Sequence, residues 1–257
     1  MKSDNEVLAW LMAEYEQPFE GWDFSYLEGR RIHQDAVPWD YNEIAIELLG
    51  KSNSVLDVDT GGGELFAVLL EKSVYRGRVY AIETHAPNVP IACHNLAQFS
   101  PKMLDGAAEA IDRAGSFDLI LNRHGGSLSL ADTLKLMTVG GAFVTQQVGD
   151  KTNQELRELF EVPSTRDLSW PRNEEDARRR FTELGFTIRE LASHDYLIRF
   201  VDVGAVVYYL KAIPWEVPDF TVEGYADVLL RLHHQSKKQG YALHTTFHTY
   251  LAVLGKP

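Results

Sequence analysis

Short apolar segments alternate with amphipathic segments through the middle of the chain. The apolar segments predict strands near residues 54–58, 78–83, 102–104, 117–122 and 142–146. The segments between them repeat apolar residues with the helical period of 3.6, and Asn173 and Gly185 are the expected first and last caps of a later helix. This alternation predicts an α/β fold, with a parallel sheet covered by helices on both faces.

The remaining elements are predicted from shorter patterns. Two further strands are expected, at 187–191 and at 205–211, and residues 194–203 are expected to extend the first of them. Helices are expected at 7–15, 222–234 and 244–254. Thr152 and Glu155 have the spacing of a capping box at the start of another helix. Residues 161–171 have no period and predict a loop able to act as a lid.

Both ends of the chain look like additions to this sheet. Residues 1–45 are predicted as a helical and aromatic cap segment, 46–212 as the sheet domain and 213–257 as a helical extension, all packed as one domain. At 257 residues the chain is long enough to bury one sizeable core.

The segment from Val55 to Glu64 carries the strongest chemical signal. A short apolar strand runs into Gly61, Gly62 and Gly63, and a predicted helix follows. Glycine has no Cβ and tolerates positive φ, so such a turn lets the backbone approach a ligand closely. The turn therefore predicts a cofactor and its position.

The spacing around the turn excludes two common cofactor motifs. The third glycine of a dinucleotide fingerprint would fall on Phe66, and a phosphate-binding loop would need Lys-Ser/Thr where Glu64-Leu65 stands. An acid on the strand, Asp57, followed by Gly61 and Gly63, resembles motif I of class I S-adenosylmethionine-dependent methyltransferases. Asp59 departs from that motif, because it stands where the family has its first glycine.

The resemblance covers about residues 23–215, and this run looks like a group of poorly characterised bacterial members of the family. It implies a Rossmann-like seven-stranded sheet with an antiparallel hairpin inserted near the end, and S-adenosylmethionine as cofactor. Glu83 ends the second strand about 20 residues after the turn, where an acid in this class of fold binds ribose hydroxyls. The resemblance implies a full set of cofactor contacts: Asp57, Asp59, Thr60, Gly61, Gly63, Glu83, Thr84, Asn88, Asp105, Gly106, Asn122, Arg123, Tyr26 and Arg31.

Several of these residues have a second interpretation. Asn88 is either a cofactor contact or only a helix cap, and the Asp105-Gly106 pair either meets the adenine or forms a surface turn. His124 follows the fourth strand; it is the candidate general base, or it only holds the loop by hydrogen bonds. Gln146 and Gln147 are expected to bind substrate, as is Trp22, although aromatic residues of this kind more often fill a core.

Composition narrows the partners. A formal net charge of −12 disfavours nucleic acid, whose phosphates need neutralising, and favours a small-molecule methyl acceptor. We expect the basic run 178–180 to be a solvated helix end. The histidines 233, 234, 244 and 248 lack an H-E-x-x-H pattern, so no metal is expected, although 244 and 248 would share a helix face.

A single cysteine, Cys93, excludes an intramolecular disulfide. There is no basic leader or long apolar run, so we expect a cytoplasmic protein with no membrane span.

The sequence thus predicts a methyltransferase for an unidentified small molecule, with no indication of its oligomeric state. A first alternative is a non-catalytic member that senses cofactor or binds protein, suggested by Asp59. A second is a nicotinamide-dependent oxidoreductase, which Phe66 disfavours.

Overall fold

The computed structural model describes residues 3–19, 23–113, 115–163 and 170–257. Within these residues the helices are α1 (Asp4–Tyr15), α2 (Tyr41–Leu49), α3 (Glu64–Lys72), α4 (Asn88–Leu96), α5 (Gly106–Ile111), α6 (Leu130–Leu136), α7 (Gln154–Leu159), α8 (Glu174–Leu184), α9 (Val203–Ala212) and α10 (Ala226–Gln239). The strands are β1 (Arg31–His33), β2 (Ser54–Val58), β3 (Arg78–Ile82), β4 (Lys102–Leu104), β5 (Phe117–Arg123), β6 (Met137–Val148), β7 (Thr187–Phe200) and β8 (Leu243–Gly255).

The strands form one sheet in the order β1-β7-β8-β6-β5-β2-β3-β4. Strand β2 pairs in parallel with β3 and β5, and the parallel pairing continues to β4 on one side and β6 on the other. Strand β8 runs antiparallel to β6, and β1 runs antiparallel to β7. The predicted α/β class and the inserted antiparallel strand are confirmed. The predicted strand count of seven is one short: the three-residue β1, which has no sequence period of its own, and β8 were not predicted as strands, and the predicted strand at 205–211 is a helix.

The chain divides into two compact units. Unit 1 comprises residues 1–37, 150–166 and 195–248, and unit 2 comprises residues 38–149, 167–194 and 249–257. Each unit thus combines three separate segments, whereas the three stretches predicted from the sequence are consecutive along the chain. Strands β7 and β8 contribute residues to both units.

Unit 2 has a hydrophobic core on each face of its part of the sheet. One core packs α2, α3 and α4 against residues such as Val55, Leu119 and Val144. The other packs α5, α6 and α8 against residues such as Leu56 and Phe143. Strands buried on both faces explain the near-continuous apolar runs from which they were predicted.

Unit 1 is organised around the buried helix α9. The Asp202 side chain caps its first turn by accepting from the Ala205 N–H at 2.9 Å. Arg30 bridges the Asp202 carboxylate at 2.6 Å and the Glu14 carboxylate of α1 at 3.0 Å. Gly204 has no Cβ, and one would lie within 3 Å of Trp10, Arg30 and Glu14, so α1 can approach α9 closely.

Two predicted elements are wrong in type. Residues 205–211 were predicted as a strand but lie in α9, which is buried on almost every side, so its sequence shows no helical period. Residues 244–254 were predicted as a helix from Phe247, Tyr250 and Leu251 but form β8. That segment is rich in threonine and aromatic residues, which favour strands.

The predicted capping box at Thr152 and Glu155 is also wrong. The Thr152 hydroxyl accepts from the His248 N–H at 2.9 Å and donates to the His248 carbonyl at 2.8 Å. The Glu155 carboxylate accepts from the Thr246 N–H at 2.7 Å and from that residue's hydroxyl at 2.6 Å. Both side chains therefore bind β8 within unit 1 and leave the start of α7 uncapped.

The caps of α8 are confirmed. The Asn173 side chain accepts from the Asp176 N–H at 3.0 Å, and Gly185 ends the helix at a φ of 92°. Arg178 and Arg179 pair with acids on their own helix, as expected for a solvated basic run. Most of the predicted 161–171 loop lies outside the described residues.

Candidate functional site

The glycine turn of unit 2 joins β2 to α3. Asp59, Gly61 and Gly63 have φ values of 58°, 63° and 79°. The Thr60 N–H donates to the Ile82 carbonyl at 3.0 Å, and the Gly63 N–H donates to the Thr60 carbonyl at 3.0 Å. The turn therefore follows β2 along the chain and is hydrogen-bonded to the end of β3. Positive φ values occur at Gly61 and Gly63, as the sequence predicts, and at Asp59.

The glycines of the turn have different surroundings. A Cβ on Gly61 would meet no atom within 4 Å, so this position faces open space. A Cβ on Gly63 would lie 3.1 Å from Leu96 and 3.3 Å from the Ala92 Cα, so this glycine lets α4 pack on the turn. The Asn95 side chain also donates to the Gly62 carbonyl at 2.9 Å. Only Gly61 offers bare backbone to a ligand.

Three carboxylates surround the turn. Burial, together with the charges of Asp59 and Glu83, raises the pKa of Asp57 to about 7. The Glu83 carboxylate accepts from the His85 N–H at 2.6 Å, which fixes it at the end of β3. A site with this much negative charge favours a cationic ligand group.

The Asp59 carboxylate is directed toward the loop after β5. Its Oδ2 accepts from the Ser127 N–H at 3.1 Å and from the Asn122 side chain at 3.4 Å. A Cβ on Gly125 would collide with the Asp59 side chain, so the two residues are in close contact. The carboxylate therefore does not fill the space beside Gly61.

Asn88 begins α4, and the predicted cap role is wrong because Pro87 occupies the cap position. The Asn88 side chain is 1% exposed, and neither its Oδ1 nor its Nδ2 has a hydrogen-bond partner among the described residues. A buried amide normally has partners, since its desolvation is costly otherwise. The predicted cofactor contact would supply them.

The ends of β3 and β4 meet at Thr84 and Gly106. A Cβ on Gly106, whose φ is 72°, would lie 3.9 Å from the Thr84 methyl group. Asp105 is exposed, and its carboxylate does not cap α5. Its backbone N–H donates to Glu109 at 2.9 Å. Thr84, Asp105 and Gly106 thus lie together, and their contact with adenosine stays a prediction.

Buried amides form a network beneath the β5 end. Asn122 is 1% exposed; its Nδ2 donates to the Val58 carbonyl at 3.1 Å, and its Oδ1 accepts from Thr145 at 3.2 Å and from Gln147. The Gln147 amide also donates to the Gly125 carbonyl at 2.9 Å. These bonds occupy the Asn122 side chain and the Gln147 amide nitrogen inside unit 2. A substrate contact by Gln147 stays a prediction.

His124 has a φ of 63° and is held by β6. Its N–H donates to the Gln146 carbonyl at 2.9 Å, and its Nε2 lies 3.2 Å from the Gln146 Nε2. Desolvation and the positive charge of Arg123 lower the pKa of His124 below its usual range. The residue as a whole is nevertheless exposed.

Sequence reasoning missed Trp39 as a neighbour of this group. Its indole N–H donates to the Gln146 Oε1 at 2.9 Å. Ser127, which holds Asp59, was missed as well. Since Ser127 contributes only a backbone N–H, its side chain gave no signal. Arg123 lies exposed at the end of β5, with its guanidinium 5.9 Å from the centre of the Tyr41 ring.

The other predicted contacts belong to unit 1 or lie outside the description. The Tyr26 hydroxyl donates to Glu14 at 3.0 Å, and Arg31 lies 4.9 Å from the centre of the Tyr209 ring. Trp22 is outside the described residues. The cofactor roles of Tyr26 and Arg31 and the substrate role of Trp22 stay predictions.

The expected helical pairing of His244 and His248 is wrong, because both lie on β8. The His248 Nδ1 binds the Asp195 carboxylate, and the His244 ring stacks on Tyr241 at 4.0 Å between ring centres. Across the described residues, no three His, Cys, Asp or Glu side chains cluster as a metal site would require. No helix among the residues that the structure describes is both long enough and apolar enough to cross a bilayer.

Solved structures with similar folds include proteins from three bacteria. A Bacillus halodurans protein provisionally assigned as a methyltransferase gives a TM-score of 0.58 at 15% identity, covering 84% of this chain and 98% of its own. A Deinococcus radiodurans protein of unknown function gives 0.55 at 12% identity, covering all of both chains. The YcgJ protein of Bacillus subtilis gives 0.53 at 14% identity, covering 83% and 98%.

No protein-family model matches the sequence, and no curated protein matches it. The chain has the fold of class I S-adenosylmethionine-dependent methyltransferases. At these identities the similarity establishes the fold alone.

Proposed function

We propose that the protein is an S-adenosylmethionine-dependent methyltransferase acting on a small-molecule acceptor. The observation that carries the proposal is the bare backbone at Gly61 between two strand-end acids, Asp57 and Glu83. A nucleoside with ribose hydroxyls to bind and a cationic end fits this arrangement.

The charges and the unpartnered amide support this cofactor. The sulfonium and ammonium groups of S-adenosylmethionine are cations, and Asp57 and Glu83 provide the opposite charge. Asn88 would gain the hydrogen bonds that it otherwise lacks. Glu83 is the expected acceptor for the ribose hydroxyls.

The same residues disfavour a nicotinamide dinucleotide. Phe66, at the third glycine position of that fingerprint, is 1% exposed and packs in the core of unit 2. A pyrophosphate at the turn would also meet Glu64 and the three carboxylates without a neutralising cation.

The cofactor would supply an activated methyl group for in-line transfer, which needs alignment and exclusion of water more than covalent help. His124 is the candidate to accept a proton from an acceptor hydroxyl or ammonium group, although its lowered pKa makes the ring a weak base near neutral pH. A carboxylate or thiolate acceptor needs no base. Gln146, which contacts both His124 and Trp39, is the candidate to orient the acceptor.

Asp59 also motivates the second candidate, a non-catalytic cofactor sensor or protein-binding module. Its carboxylate is bound to Ser127 and Asn122 and leaves Gly61 bare, which supports retained cofactor binding. A sensor and an enzyme both bind cofactor, so turnover with candidate acceptors separates them.

Titration calorimetry tests the cofactor. We expect S-adenosylmethionine and S-adenosylhomocysteine to bind with micromolar affinity, and NADH and ATP to show no heat. Glu83→Ala should weaken binding by tenfold or more, about 1.4 kcal/mol. Glu71→Ala is the matched control, because Glu71 is an exposed acid on α3 away from the turn. Failure of S-adenosylmethionine to bind at millimolar concentration would refute the proposal.

The acceptor class rests on the net charge of −12, which disfavours nucleic acid. A cytoplasmic location and the absence of a membrane partner remain part of the proposal. Turnover assays with mixed small-molecule acceptors, followed by mass spectrometry of products gaining one methyl group, test the acceptor class directly.

A further inference from the structure

We infer that Asp59 is a positioning residue that fastens the loop of residues 123–127 to the glycine turn. This deepens the proposed function, because the loop carries His124, the candidate base. In place of the glycine that the family has here, the chain has a side chain that acts as an anchor.

Three contacts carry the inference. The Asp59 Oδ2 accepts from the Ser127 N–H at 3.1 Å and from the Asn122 Nδ2 at 3.4 Å. Gly125 lies against the Asp59 side chain so closely that any Cβ there would collide with it. The absence of a side chain at Gly125 therefore makes room for the Asp59 side chain.

The loop has further anchors on β6, but they hold different residues. The His124 N–H binds the Gln146 carbonyl, and the Gly125 carbonyl accepts from Gln147. Asp59 adds the bond to Ser127 at the far end of the loop. Fixing both ends explains how His124 is kept at a φ of 63°, a backbone conformation that side chains rarely adopt.

Asp59 is itself at a φ of 58°, which Asn and Gly both tolerate. Asp59→Asn keeps a hydrogen-bond acceptor and removes the charge, whereas Asp59→Gly removes both. Neither variant adds backbone strain, so the pair separates hydrogen bonding from charge. Gly125→Ala is a third variant that should displace the Asp59 carboxylate from the opposite side.

The test is amide hydrogen exchange of the protein without cofactor. We expect exchange at residues 125–127 to rise at least tenfold in Asp59→Gly and Gly125→Ala, and to be largely restored in Asp59→Asn. Exchange in the paired strands β2 and β5 should not change, which excludes general unfolding. Equal exchange at Ser127 in the parent, Asp59→Gly and Gly125→Ala would overturn the inference.

Cofactor affinity gives a second, separate readout. Because the carboxylate does not fill the space at Gly61, Asp59→Gly should keep its affinity for S-adenosylmethionine within tenfold. With an acceptor in hand, kcat should fall in Asp59→Gly and recover in Asp59→Asn, while KM for the cofactor changes little. If the variants show the expected exchange pattern but the parent protein binds no cofactor, the proposed function is refuted and the role of Asp59 as an anchor stands.

Discussion

The indole N–H of Trp39 donates a 2.9 Å hydrogen bond to the Gln146 side-chain oxygen, and the nitrogen of the same amide lies 3.2 Å from His124. One amide therefore connects Trp39, two residues before α2, with the candidate base. Gln146 is 7% exposed, so its oxygen depends on this donor.

We expect Trp39→Phe to destabilise the protein by about 1–3 kcal/mol, because a buried acceptor loses its partner. Urea unfolding of the variant measures this. The double variant Trp39→Phe/Gln146→Leu should regain part of the loss, since both polar groups are then absent. If the loss of stability in the double variant equals the sum of the losses in Trp39→Phe and Gln146→Leu, the bond contributes nothing to stability.

Cofactor affinity should rise with pH through the titration of Asp57. The pKa of Asp57 is about 7, so its carboxylate is mostly protonated at pH 6 and mostly charged at pH 8. We expect S-adenosylmethionine to bind roughly tenfold more tightly at pH 7.5 than at pH 5.5, equivalent to about 1.4 kcal/mol. Calorimetry between pH 5.5 and 7.5 measures this change. In the control variant Asp57→Asn, the affinity for S-adenosylmethionine should not depend on pH over this range.

The same pKa predicts a stability cost. From pH 3.8, the ordinary value for the carboxyl, to about 7, the folded protein holds a proton that the unfolded chain has lost. Stability from this group therefore falls as pH rises, by at most about 1.4 kcal/mol per pH unit. Thermal unfolding without cofactor should show Asp57→Asn gaining on the parent from pH 4 to pH 8; a constant difference would contradict this.

Alanine at the two positive-φ glycines of the turn should separate binding from stability. Gly61→Ala meets no neighbour, so it should cost only about 1–2 kcal/mol of backbone strain but weaken cofactor binding more than tenfold. Gly63→Ala adds a contact of 3.1 Å with Leu96 and should be the less stable variant. Urea unfolding and calorimetry measure both; unchanged affinity in Gly61→Ala would place the cofactor elsewhere.

Val74 is a strained residue outside the site. It follows α3 at a φ of 52° and is 63% exposed, although a β-branched residue is poorly suited to that conformation. We expect Val74→Gly to stabilise the protein by about 1 kcal/mol. Val139→Gly is the control, because Val139 is an exposed strand residue without positive φ, and its replacement should destabilise. A loss at Val74 would contradict the strain argument.

The central strands could be predicted from sequence because they are short, apolar and bounded by turns. Strands β2 and β4 have the predicted bounds, and β3 ends one residue before Glu83. Helix α9 was not predicted because a fully buried apolar run has no periodicity, and β8 was predicted as a helix because Phe247, Tyr250 and Leu251 lie at helical spacing. Their types depend on long-range contacts, such as that of the Thr152 hydroxyl with the backbone of His248.

The site shows the same limit. Asp57, Gly61 and Glu83 were predictable because their spacing along the chain reflects strand ends at one edge of the sheet. The Asp59 contact with Ser127 spans 68 positions and ends on a backbone N–H, so no side-chain pattern signals it. The alternative role of Asn88 as a cap was suggested because asparagine favours that role locally, whereas its cofactor contact stays a prediction.

The amide network of Asn122, Thr145 and Gln147 contains no group that gains or loses a proton between pH 4 and 10. The floor of the candidate site should therefore keep its shape across that range, while Asp57 beside it changes charge. Changes in ligand affinity near neutral pH then report one proton at one carboxyl group rather than a rearrangement of the protein. The pH dependence of affinity therefore shows whether a ligand binds beside Asp57.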